Sequence, residues 1–186
     1  KKILLISTSK EENAQSKIDK EKVLIMNDSC HYPLGLAYLY SVLEQAGHEV
    51  QYLFFSEHAY EDCYNEIKEK LETFSPDIVA FQILTFNRVS AYRMIEYIHE
   101  KYPLVNLIIG GIHTTVMHQS IIKKYPYVIA VLAEGELTIL ELVKELSQPS
   151  LNLHSVDGIV FSENGIIVKT RSRELIKNID EIPFPK

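Results

Sequence analysis

Five short apolar runs, each leading to a stretch of helical periodicity, constrain this chain more than any other feature. The runs are Lys2–Ser7 (KILLIS), Glu49–Phe55, Asp77–Leu84, Val105–Ile109 and Tyr127–Leu132. Consecutive apolar residues over so short a length suit strands covered on both faces. Between them, Leu36, Leu39, Leu43 and Ala46 recur on one helical face, with Pro33 suited to the first helical position and Gly47 to the position after the C-cap. Tyr60–Phe74 carries Cys63, Ile67, Leu71 and Phe74 on one stripe before Pro76 ends it. Asn87 is placed to cap a helix bearing Ala91, Ile95, Ile98 and Tyr102. Thr114–Lys124 and Gly135–Ser147 complete the set. Strands separated by helices need right-handed crossovers, so the pattern predicts a doubly wound, five-stranded parallel sheet.

The pattern changes after Pro149. Gly158–Ser162 and Ile166–Thr170 flank ENG, a two-residue hairpin signal, and the tail IDEIPFPK is proline-rich. Residues 1–148 are therefore expected to form one α/β domain. Residues 149–186 are expected to form a C-terminal β-hairpin and a linker cut short.

Composition narrows the function. The net charge of −6 argues against nucleic-acid binding, which requires clustered Lys and Arg. No apolar run approaches the roughly 20 residues that span a bilayer. Two cysteines, Cys30 and Cys63, are too few for a disulfide scaffold or an iron–sulfur cluster and suit a reducing cytoplasm. The seven histidines show no tight metal-ligand spacing, and no metal site is expected.

In an open parallel sheet, ligands bind beyond the carboxyl ends of the strands. The loops 7–32, 84–87, 110–115 and 133–136 thus carry the functional expectation. The first exceeds the roughly 12–15 residues usual for a structureless loop and reads as a flap or an insertion, with VLIMN as a short extra element. Gly110 and Gly111 remove two Cβ atoms where the backbone turns sharply or approaches a ligand. Glu134 and Glu136 flank Gly135 at a helix start, suited to a ribose hydroxyl or to the helix dipole. No GxGxxG or Walker loop is present, and STSKEENAQSK lacks the glycines of a flavin phosphate loop.

YPLGLAYLYSVLEQAGHEV, PDIVAFQILTFN, LIIGGIHTT, AEGE and IDEIPFP occur in that order. In this order they resemble the N-terminal cobalamin-binding domain of cobalamin-dependent radical S-adenosylmethionine enzymes, over nearly the whole chain. The resemblance implies a Rossmann-like, flavodoxin-like fold with cobalamin across the carboxyl edge of the sheet. It implies contacts to the nucleotide tail from Gly110, Gly111, Gln82, Gly135 and Glu136, contacts to the tail or the corrin edge from Leu84 and Thr85, and a His113 that lines the pocket or caps locally. Pro33, Leu34 and Gly35 would lie near the corrin face. No catalytic residue is implied in this portion. S-adenosylmethionine and an iron–sulfur cluster would belong to a following barrel in the same chain, probed by a CxxxCxxC motif beyond Lys186, where the substrate and a methyl transfer or related radical step would also reside. The sequence departs from related cobalamin domains in lacking DxHxxG after the first strand, so no histidine ligand to cobalt is implied; His31 alone would be brought near by a folded first loop. A glutamine, Gln82, stands where a serine is usual. These departures motivate an alternative, a degenerate scaffold or docking module that no longer binds cobalamin.

Overall fold

A computed structural model describes residues 1–9, 33–55 and 60–186. Seven strands form one sheet in the order β2-β1-β3-β4-β5-β6-β7. They are β1 (Lys2–Ser7), β2 (Glu49–Phe54), β3 (Ile78–Gln82), β4 (Asn106–Gly110), β5 (Val128–Val131), β6 (Ile159–Glu163) and β7 (Ile166–Lys169). The first five pair in parallel, and β6 and β7 add antiparallel to the β5 edge. The five-strand expectation thus holds for the parallel part only. The hairpin is not a separate appendage, because Ile159, Val160 and Phe161 bury their side chains in the two cores and make β6 a continuation of the sheet.

Among the described residues, five helices cover the sheet: α1 (Leu34–Gln45), α2 (Tyr60–Phe74), α3 (Arg88–Lys101), α4 (Ile112–Lys124) and α5 (Glu136–Glu145). The two-residue alternation of each strand divides the core. Leu4, Ile6, Val79, Phe81, Leu107 and Ile109 face α2, α3 and α4. Ile3, Leu5, Ile78, Ala80, Ile108 and Val131 face α1 and α5. Ile3, Leu4, Leu5 and Ile6 are all fully buried, which explains the unbroken apolar run of β1. Each such side chain contributes roughly 1.5–3 kcal/mol by leaving water.

Local signals act as the physics requires, with two corrections. Gly47 takes φ +84°, and the N–H groups of Gly47 and His48 donate to the carbonyls of Glu44 and Leu43, closing α1 in a Schellman turn. Pro33 stands one residue before α1 rather than within it. Asn87 stands at the N-cap position of α3, but its side chain does not cap the helix. Its Nδ2 instead donates towards the carbonyls of Thr8 and Gln82, and its Oδ1 accepts from the N–H of Leu84 at 2.8 Å. Asn87 is fully buried and ties the carboxyl end of β1 to that of β3. Removing it leaves several buried backbone groups without partners. Asn87→Ala is expected to lower stability by about 2–4 kcal/mol in urea unfolding.

Among the described residues, no helix is long and apolar enough to cross a membrane. VLIMN, Cys30 and His31 lie outside the described residues.

Candidate functional site

A cleft of about 290 Å³ opens at the carboxyl edge of the sheet, on the face covered by α1 and α5. Small residues at its floor create it. On β3 and β4 the positions that face this side run Ala80, Gln82 and Ile108, Gly110, so Ala80 and Gly110 leave space diagonally across the two strands. Gly35 and Gly135 thin the opening turns of α1 and α5. Leu36, Leu39, Val131 and Ile139 supply apolar walls.

Two glycines of the GG turn serve different ends. A Cβ on Gly110 would meet only Val131, at ordinary contact distances of 3.8 Å and beyond. Its missing side chain leaves room in the cleft. Gly111 has φ +98° and ψ 173°, and a Cβ there would fall 2.7 Å from the carbonyl oxygen of Ile83. Its missing side chain therefore serves the fold, letting β4 turn into α4 against the backbone that follows β3.

Thr115 fixes this turn to the next loop. Its Oγ1 donates to the Gly111 carbonyl at 3.2 Å and accepts from the N–H of Ala133 at 3.0 Å. Ala133 is held at φ +56°, an uncommon conformation for a residue with a Cβ.

The two glutamates of AEGE also divide. Glu134 accepts from the N–H of Ile176 at 2.8 Å and so holds the segment after the hairpin against the β5–α5 loop. Glu136 lies in the first turn of α5, where a carboxylate complements the helix dipole. Its Oε2 is buried and has no hydrogen-bond partner among the described residues. It lines the cleft.

Of the residues singled out from the sequence, the structure gathers Gly35, Gln82, Gly110, Gly111, Gly135 and Glu136 around one cavity. Pro33, Leu34, Leu84, Thr85 and His113 do not line it. His113 lies in the first turn of α4, where its Nε2 meets the Tyr92 hydroxyl at 3.1 Å and its Nδ1 meets Thr85 Oγ1 at 3.4 Å. It packs towards α3, across the sheet from α1 and α5. The apolar walls were missed by the motif reading, although the alternation along β3 and β4 and the spacing Gly35, Leu36, Leu39 along α1 encode them.

Burial, and after it the Arg88 guanidinium, holds the His113 imidazole below its ordinary value of 6.5. The folded state therefore favours neutral His113. Its contribution to stability is present above pH 6.5 and is lost as pH falls from there towards the lower folded value, because the unfolded chain takes the proton first. Melting curves from pH 7.5 to 5 are expected to fall more steeply for the parent than for His113→Gln; parallel curves would remove His113 as the cause. Among the described residues, no group of three His, Cys, Asp or Glu side chains could hold a metal ion.

The comparisons fit this geometry. A family model described as the B12 binding domain matches residues 22–143, about two thirds of the chain. The chain belongs to the B12-binding domain family. It is 34% identical over 155 residues to an uncharacterised methyltransferase of Pyrococcus horikoshii, covering 82% of this chain and 33% of that protein. It is 29% identical over 153 residues to the anaerobic magnesium-protoporphyrin IX monomethyl ester cyclase of Cereibacter sphaeroides, covering 81% of this chain and 25% of that one. This B12-binding domain therefore spans about a quarter to a third of the length of these curated relatives. Among solved structures, the cobalamin-dependent S-adenosylmethionine radical enzyme OxsB with aqua-cobalamin and S-adenosylmethionine bound superposes at a TM-score of 0.73 and 19% identity, over 99% of this chain and 24% of that one. The radical S-adenosylmethionine methyltransferase TsrM from Kitasatospora setae superposes at 0.72 and 17% identity, over 91% of this chain and 30% of that one. At those identities the likeness shows a shared fold.

The cleft suits the nucleotide tail of cobalamin. It is a slot with apolar walls and a floor that Cβ atoms at Gly35, Gly110 and Gly135 would narrow, and the Glu136 carboxylate, whose buried Oε2 has no partner among the described residues, belongs to its lining. A flat base asks for such walls, and a ribose hydroxyl for such an oxygen.

Proposed function

We propose that this chain is the cobalamin-holding portion of a radical S-adenosylmethionine enzyme, with residues 1–148 and the β6–β7 hairpin that extends their sheet forming the binding domain, and the segment after the hairpin leading towards a catalytic barrel. The observation that carries the reading is the cleft itself, a slot at the carboxyl edge with Ala80, Gly110 and Gly135 in its lining and Glu136 beside them. Gly110 and Ala80 leave space for the base of the tail. Leu36, Leu39, Val131 and Ile139 exclude water from its faces. Glu136 accepts a hydrogen bond from a tail hydroxyl. Gly111 and Thr115 hold the floor in shape. When bound, cobalamin supplies a cobalt centre that can carry a methyl group to a substrate radical. This chain contributes position and dryness, and S-adenosylmethionine with its iron–sulfur cluster belongs to the barrel in the cytoplasmic enzyme.

The rim supports a covered edge. Leu34, Phe86, Val89, Ile112, Val116 and Leu137 are exposed, and all lie at or beside the opening turns of α1, α3, α4 and α5. Helices that follow parallel strands begin at the carboxyl edge, so this apolar surface lies along that edge on both sides of the sheet.

The test compares hydroxocobalamin with cobinamide, which has the corrin but no nucleotide tail. The chain is mixed with each, desalted, and read by its visible spectrum. Retention of hydroxocobalamin with loss of cobinamide is expected. Retention of neither by a chain that melts cooperatively would point to the scaffold reading.

A further inference from the structure

Gln82 is the last residue of β3 and faces the cleft alongside Ala80. Its backbone carbonyl is taken by Asn87. Its side-chain amide has no hydrogen-bond partner among the described residues. The amide stands at the opening turn of α1, its Nε2 only 3.2 Å from where a Cβ on Gly35 would lie, so the absence of a side chain at Gly35 gives it room. Leu36, Leu39, Ile108, Val131 and Ile139 share the cleft, and none of their side chains can answer an amide.

A carboxamide presents two donors and one acceptor on adjacent atoms. A ligand that seals the cleft without matching them leaves buried polar groups unpaired, which weakens binding. Dimethylbenzimidazole offers one ring nitrogen, an acceptor, and is otherwise methyl and aryl C–H. Adenine offers an amino donor beside a ring-nitrogen acceptor, the complement of a carboxamide, and glutamine recognises it by two parallel hydrogen bonds elsewhere.

Resting on the tail-binding reading above, we infer that Gln82 selects the lower base of the cofactor, so that the chain prefers a cobamide with an adenine-type purine tail over one with dimethylbenzimidazole. Glu136, by contrast, meets a hydroxyl that every tailed cobamide carries, and is indifferent to the base.

The test is a set of calorimetric titrations of this chain with cobinamide, cobalamin and the adenine-tailed cobamide. The parent is expected to bind the adenine form about 10- to 100-fold more tightly than cobalamin, the range of one bidentate pair, and cobinamide weakest. Gln82→Leu is expected to abolish or reverse the preference, chiefly by weakening the adenine form. Gln82→Met, closer in length, repeats the measurement if the leucine variant melts early. Two tailed forms bound equally, both more tightly than cobinamide, would overturn the base assignment and leave tail binding standing. A preference for adenine that survives both substitutions would likewise overturn the role of Gln82. Equal binding of all three would overturn both readings.

Discussion

Gly110→Phe is expected to cost the chain at least about 100-fold in cobalamin affinity while moving its thermal midpoint by only a few degrees. The separation follows from where the Cβ would go. Gly110 ends β4 with its missing side chain on the face of Ile108, and the nearest atoms to an added Cβ belong to Val131 at ordinary contact distance. A ring projected from that point has open space to enter, so the fold absorbs it. The space it enters is the floor of the cleft. Isothermal titration with hydroxocobalamin, together with a melting curve of the unliganded chain, reads both halves. Parental affinity in a folded Gly110→Phe chain would show that the tail does not use this cleft.

Its neighbour is expected to behave in the opposite way. Gly111→Ala should lower stability by about 3–5 kcal/mol, or roughly 10 °C in midpoint for a chain of this size. Two costs combine. Extended backbone at positive φ is nearly forbidden to a residue with a Cβ, and that Cβ would sit 2.7 Å from the Ile83 carbonyl oxygen. Urea unfolding without cofactor is the measurement, and a loss below about 1 kcal/mol would mean that the turn relaxes readily. The pair of substitutions separates two glycines that are adjacent and chemically identical. Reduced cobalamin retention in a Gly111 variant would report an altered fold as much as an altered site, which makes Gly110 the sharper probe.

Much of this was legible in the residues. The unbroken apolar runs of β1 and β3 announce strands covered on both sides, and the Gly47 turn closes α1 where the helical stripe ends. What the sequence hid depends on partners remote along the chain. Asn87 reads as a cap because its type and place suit one, yet β1 and β3 bring the carbonyls of Thr8 and Gln82 within its reach, and three backbone partners outweigh one helix N–H. ENG marks a hairpin but says nothing of which edge it joins; that was decided by the apolar face of β6 meeting β5. His113 attracts notice beside the glycines, but one residue past Ile112 the helical turn carries it towards Tyr92, away from α1 and α5. The walls of the cleft were the least visible part. Leucine and valine at strand and helix spacing look the same whether they meet each other or a ligand.

The bridge through Thr115 has a mechanical consequence. The loops after β4 and β5 are cross-linked by a single hydroxyl, and the second loop grips the chain beyond the hairpin through Glu134 and Ile176. Cleft floor, cleft wall and the descending segment are therefore one lever rather than three loops. A molecule wedged against Gly110 is expected to stiffen a path that runs from the GG turn through Glu134 to Ile176, on the stretch after the hairpin. Occupancy of the slot is thus expected to register as rigidity, with slowed amide exchange at Ala133 and Ile176 together as its signature.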